Sequence, residues 1–176
     1  RRQQFGPSGG GAIIRDKLFY FLSYDQQKRN FPAVVVPYSS SFLTGTGTAP
    51  GFANVRGFYE GLQGPQARQG NQWLGLSRVD WNLSPRNQLS ATVNILRWDS
   101  PNGIQTAPTH GYHESANGAD GVDNETLIGR WTATVTNRLV SELRVQWGRD
   151  FEYQSANAPG PYVTVTNGIN FGMPNF

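Results

Sequence analysis

Few side chains in this chain can do chemistry, and most of those that can fall between Asp99 and Glu125. His110 and His113 beside Glu114 combine imidazole and carboxylate, which are ordinary ligands for zinc or copper. No regular element fixes their spacing, and a solvated loop is the commoner use of such residues. Asp120, Asp123 and Glu125 offer hard oxygens near Gly118 and Gly121, yet the full spacing of a calcium loop is absent. No metal site is expected from either group. Gly9-Gly10-Gly11 lacks the following Lys-Ser or Lys-Thr of a phosphate-cradling loop, and Ala12-Ile13-Ile14 leads into a turn rather than a helix. Asp80 and Glu142 could pair, but as alternating polar residues of a strand they need no catalytic role. With no cysteine and both histidines on one stretch, no nucleophile and base are brought together locally. Neither enzymatic activity nor a cofactor is expected.

Aromatic residues are the better candidates for recognition. Tyr38, Phe42, Phe52, Phe58 and Tyr59 lie among glycines and prolines, a mixture that offers stacking surfaces on an adaptable backbone and suits glycans or aromatic chelates. The alternative is that these rings pack on neighbouring loops, since long loops often bury their own aromatics.

The elements that must hold these loops follow from an asymmetry. Three times, two β-type runs are joined by a few turn residues: Arg15-Asp16-Lys17, Ser84-Pro85-Arg86-Asn87 and Thr136-Asn137-Arg138. This places hairpins near 4–27, 72–98 and 126–151. Long polar loops near 29–69, 99–124 and 152–176 alternate with them, far above the usual loop median of about 4–6 residues. Short turns at one end of the strands and long loops at the other are the organisation of a transmembrane β-barrel.

Side-chain alternation agrees, because successive residues of a strand point to opposite faces. Leu89, Ala91, Val93 and Ile95 alternate with Ser90, Thr92 and Asn94. Gly75, Ser77, Val79, Trp81 and Leu83 oppose Arg78, Asp80 and Asn82. Gly129, Trp131, Ala133 and Val135 oppose Arg130, Thr132 and Thr134, and Leu143, Val145 and Trp147 oppose Glu142, Arg144 and Gln146. One face is oily and the other wet. Tyr20, Tyr24, Trp81, Trp98, Trp131, Trp147 and Tyr153 fall within or near strand ends, where amphipathic rings settle at the headgroup level. A soluble β-sandwich would show the same periodicity, so a soluble extracellular binding or adhesion module is the competing reading.

Composition fits an all-β chain. No run approaches the roughly 18 apolar residues of a transmembrane helix. With 21 Gly, 11 Pro and abundant Asn, Gln, Ser and Thr, the chain favours strands and irregular loops over helices, and almost no helix is expected. A net charge of +3 is too slight for a nucleic-acid stripe, and no nucleic-acid partner is expected. No apolar segment follows Arg1-Arg2, so no signal peptide is read there; with no initial Met, a longer precursor is expected. About six strands, with a possible seventh from Tyr162 to Thr166, fall short of the roughly eight in the smallest outer-membrane barrels. The expectation is an antiparallel up-and-down meander, a partial segment of a larger barrel, because open edges are not tolerable in a membrane.

The stretch from Gln4 to Asp25, reading QFGPSGGGAIIRDKLFYFLSYD, resembles the early barrel of TonB-dependent outer-membrane receptors of the Oar-like group, which carry a carboxypeptidase-regulatory-like domain. Ala12 stands where that group usually has proline, and Pro7 where it usually has glycine. Arg78 to Ser90 is similar to the group's strand, periplasmic turn and strand. Trp131 to Val135, followed by Leu139 to Arg144, matches the next such hairpin. The resemblance spans most of the chain outside the loops. It implies a Gram-negative-type outer membrane and active uptake of a bulky solute of siderophore, glycan or peptide class. It further implies a barrel of 22 strands around a plug domain, coupled through that plug to the TonB complex. The implied partners are outer-membrane lipid, the plug and remaining strands of the same protein, and the extracellular solute.

Overall fold

The computed structural model describes residues 1–105 and 107–173. Strands β1 (Arg2–Phe5), β2 (Ser8–Ile14) and β3 (Leu18–Asn30) open the chain, followed by β4 (Ala33–Val35), helix α1 (Phe52–Gly61) and β5 (Gly64–Gln66). Then come β6 (Gln69–Ser84), β7 (Asn87–Ser100), β8 (Thr109–His110), a 3-10 turn at Glu114–Ala116, β9 (Gly118–Thr136) and β10 (Leu139–Ala156). The large sheet has the order β1-β3-β6-β7-β9-β10, with β2 also on β3, and every neighbouring pair is antiparallel. This is an all-β up-and-down meander, open at both edges.

β1 and β2 run in line along one side of β3, broken at Gly6-Pro7 where the Pro7 carbonyl accepts from the Tyr24 N–H. A Cβ on Gly6 would lie 1.9 Å from the Tyr24 carbonyl oxygen, and one on Gly10 would lie 2.5 Å from that of Tyr20. Glycine is required at both positions because β2 and the break before it lie so close to the β3 backbone.

The three tight turns share one end of the sheet. The Asn82 N–H donates to Lys17 O at 2.7 Å and its side-chain amide to Asp16 O at 3.2 Å. The Thr134 N–H donates to Arg86 O at 2.8 Å. Asp16 takes a left-handed φ of 62° to close its turn, a conformation that Asp tolerates better than most residues.

At the opposite end the loops form a layer of their own. β5, β4 and β8 make a small three-stranded sheet, and the buried apolar side chains Ala33, Val35, Ala116 and Ile169 belong to this layer. The strands run further into the loop layer than polarity indicates. β9 begins at Gly118, inside the stretch read from sequence as loop, and β10 continues to Ala156. Two further expectations are corrected. The segment read as a possible seventh strand makes only an isolated bridge, Val163 to Phe171. The long first loop contains a 10-residue helix, held by an exposed Arg56–Glu60 pair one turn apart and by packing of its rings on other loops rather than by intrinsic propensity.

Candidate functional site

Register assigns each strand residue to a face. One face carries four successive rows: Leu18–Trp81–Leu89–Trp131–Leu143, Tyr20–Val79–Ala91–Gly129–Val145, Leu22–Ser77–Val93–Leu127–Trp147 and Tyr24–Gly75–Ile95–Glu125–Arg149. The next row, Gln26–Trp73–Arg97–Asp123–Phe151, is polar and aromatic. Arg97 pairs there with Asp123 at 3.4 Å and with Glu125, and stacks over Trp73. From Trp81 to Trp73 the strand covers about 27 Å at roughly 3.4 Å per residue, close to the ~25 Å apolar band of an outer-membrane barrel. Trp81 and Trp131 mark the turn-side limit of this band, and Tyr24, Trp73 and Tyr153 lie at or beyond the loop-side limit. Trp147 sits within the band. Trp98 alternates with Arg97 and faces the other way, beside Gly70, so it does not belong to the outward aromatic set.

The other face carries Arg78, Asp80, Ser90, Thr92, Asn94, Arg130, Glu142, Arg144 and Gln146. Arg78 binds Asp80 through two nitrogens at 2.8 Å, and Arg144 binds Glu142 at 2.9 Å. This wet face is interrupted by Phe19, Phe21 and Ile128 and by Leu74, Leu76 and Leu96, the three leucines lining a concavity of about 430 Å³ rimmed by Asp25, Asn94 and Asn124.

A family model described as "Outer membrane beta barrel domain" matches residues 42–176. The chain belongs to this outer-membrane β-barrel family. Its oily face is accordingly the lipid face, its wet face the lumen, and its location the bacterial outer membrane. No curated protein and no solved structure matched the chain.

In this barrel domain the loop aromatics are brought together, but largely against one another. Phe42 meets Tyr59 edge-on with ring centroids 5.2 Å apart, Phe58 meets Tyr59 at 5.3 Å, and Phe58 meets Phe171 at 5.5 Å. Tyr38 meets Tyr112 edge-on at 6.0 Å and lies over Gly111. Phe52 lies against Gly47. Tyr38 and Phe58 keep about half of their surface open, so the outer cap presents two rings to solvent and buries parts of the others.

The metal candidates are dispersed. His110 is buried in the small sheet, its Nδ1 accepting from the Tyr112 N–H. His113 caps the 3-10 turn, its Nδ1 accepting from the Ser115 N–H at 3.2 Å. Asp123 and Glu125 face outward on Arg97, whereas Asp120, opposite Ser100, points to the other face. Among the described residues no group of three or more His, Asp or Glu side chains is placed to share an ion.

Sequence reading passed over three features. Leu74 and Leu76 break the polar pattern of their face, a signal legible in the third run. Arg130 and Arg144 lie directly opposite one another, which only the register reveals. In and beside the small sheet, Gln66, Arg68 and His110 are almost wholly buried, and among the described residues Gln66 Nε2, Arg68 Nε and His110 Nε2 have no hydrogen-bond partner. Burial, reinforced by the Arg68 charge, holds the His110 imidazole below its ordinary pKa and therefore neutral. Burial likewise lowers the pKa of Arg68, whose guanidinium stacks over Phe31.

Proposed function

We propose that this domain is barrel wall and outer recognition cap of a TonB-dependent receptor of the Oar-like group, one that imports a bulky solute across the outer membrane. The apolar concavity on the lumen wall carries the reading. Leu74, 38% exposed here, would meet water in an open channel together with Leu76 and Leu96. With Phe19, Phe21 and Ile128 on the same face, these leucines make the lumen wall partly apolar, and an exposed apolar patch marks a surface that something covers. A plug domain of the same protein is the occupant that the resemblance supplies, and the Asp25, Asn94 and Asn124 rim would offer hydrogen bonds to its backbone. The motif order from Gln4 to Arg144 supports the same group. The cap, with Tyr38 and Phe58 open to solvent, would meet a glycan, a peptide or an aromatic siderophore first. No enzymatic step is proposed.

The test is uptake by cells carrying the full-length protein, with and without a functional TonB complex. Accumulation of the solute should vanish when TonB is removed, while surface binding persists. Equal accumulation in both strains would show a passive channel and overturn the receptor reading.

A further inference from the structure

Arg130 and Arg144 are directly opposed across β9 and β10, and both point into the lumen. Like charges in that arrangement repel, at a spacing of about 4.5–5.5 Å between Cβ atoms. Arg144 has Glu142 and Arg78 has Asp80, but Arg130 has no carboxylate within 4.0 Å among the described residues. The three guanidiniums line one concavity of about 180 Å³, together with the Ser90 and Thr92 hydroxyls and the Gln146 amide. Ile128 adds one apolar side chain; among the described residues every polar side chain around this hollow can donate a hydrogen bond, and no carboxylate lines it. Planar guanidinium forks match carboxylate and phosphate oxygens, and the hollow is roomy enough for such a group.

We infer that Arg78, Arg130 and Arg144, with Ser90, Thr92 and Gln146, form an oxyanion-binding site on the lumen wall, near its tight-turn end. The ligand is a carboxylate or phosphate group. It comes either from another segment of the same full-length protein or from a solute in the lumen. Arg130 supplies the uncommitted charge, the hydroxyls and amide fix the oxygens, and the ion relieves the repulsion between Arg130 and Arg144. This inference rests on the assignment of the lumen face, and it holds whether or not uptake is energised.

Thermal unfolding of the full-length protein in detergent, titrated with inorganic phosphate against chloride at equal ionic strength, tests the site. If the anion is a solute, phosphate raises the unfolding temperature of the wild type. Arg130→Gln then weakens the apparent phosphate affinity about tenfold or more, the size expected for losing a hydrogen bond to a charged group, and Arg130→Lys weakens it less. If the anion is a carboxylate of the same protein, the wild type ignores phosphate, while Arg130→Gln lowers the unfolding temperature and Arg130→Lys largely keeps it. Should Arg130→Gln not assemble, Arg144→Gln reads the same site. Two results would overturn the site: a phosphate response untouched by both substitutions, or no phosphate response together with Gln variants as stable as the wild type or more stable, as relief of an uncompensated repulsion would make them.

Discussion

The barrel wall and the outer cap are built on opposite principles. In the wall most side chains are exposed or half-buried: the edge strand β10 is exposed over its whole length, and Val145 keeps 62% of its surface. Its order comes from long backbone ladders, and its apolar side chains find their solvent in lipid. The cap has an ordinary interior, where Arg68, Asn117, Ser100 and Ile169 are each less than 2% exposed or nearly so, and where side-chain amides tie the loops together. One region is stabilised by what surrounds it and the other by what it encloses. A substitution should therefore be judged by different rules on either side of the Arg97 row.

The sharpest way to break this contrast is to put a charge on each face of one strand. On β9, Leu127→Arg should cost about 2–4 kcal/mol near the bilayer midplane, whereas Thr126→Arg, on the lumen face, should cost much less because the lumen hydrates it. Urea titration of the full-length barrel in lipid vesicles measures both. Equal penalties would remove the two-faced wall.

In the cap the decisive group is an amide. Asn117 Oδ1 accepts from the Gln105 and Gly118 N–H groups at 3.0 and 2.8 Å, and its Nδ2 donates to Asn102 O at 2.9 Å. Asn117→Ala leaves these buried groups unpaired, which costs about 1–3 kcal/mol. Amide exchange should rise across the cap and stay unchanged in the wall ladders. Exchange rising equally in both would mean that the two regions unfold as one.

A pH titration distinguishes the regions more gently. The pKa of His110 is depressed in the fold, so the unfolded cap takes up a proton more readily than the folded one. The cap's stability is then complete above the ordinary histidine value of about 6.5 and declines as pH falls towards the folded pKa. Exchange of the Val36 amide, which donates to His110 O at 3.0 Å, should accelerate over that window in the wild type and much less in His110→Asn. The smallest effect belongs to the helix surface. Arg56→Ala removes an exposed pair to Glu60 and should change cap stability by less than about 0.5 kcal/mol.

Much of the wall was legible in the sequence, because alternation at Leu89–Ile95 and Trp131–Val135 and the placement of the tight turns are local signals. The cap was not. Helix α1 owes its existence to the contacts of Phe58 and Tyr59 with Phe171, far along the chain, and nothing in its own residues demands it. Asp120, Asp123 and Glu125 read as one acidic cluster only while they are taken for loop. Once β9 is extended to Gly118, odd and even positions separate them, and Asp123 and Glu125 become partners of Arg97. Trp98 takes an even position in the Leu89–Ile95 alternation and so shares the wet face with Thr92 and Asn94. The opposition of Arg130 and Arg144 depends on the pairing of two strands, which no single run encodes.

Asn102, held at a left-handed φ of 56°, joins the three outer loops in one place: its amide donates to Ala67 O and to Glu114 Oε1, and its side-chain oxygen accepts from Asn157. Three loops so joined cannot fluctuate independently. A visiting molecule meets a surface whose conformational entropy has already been lost during folding, so little of the usual ordering cost, about 0.5–1.5 kcal/mol for each immobilised side chain, is charged against its affinity.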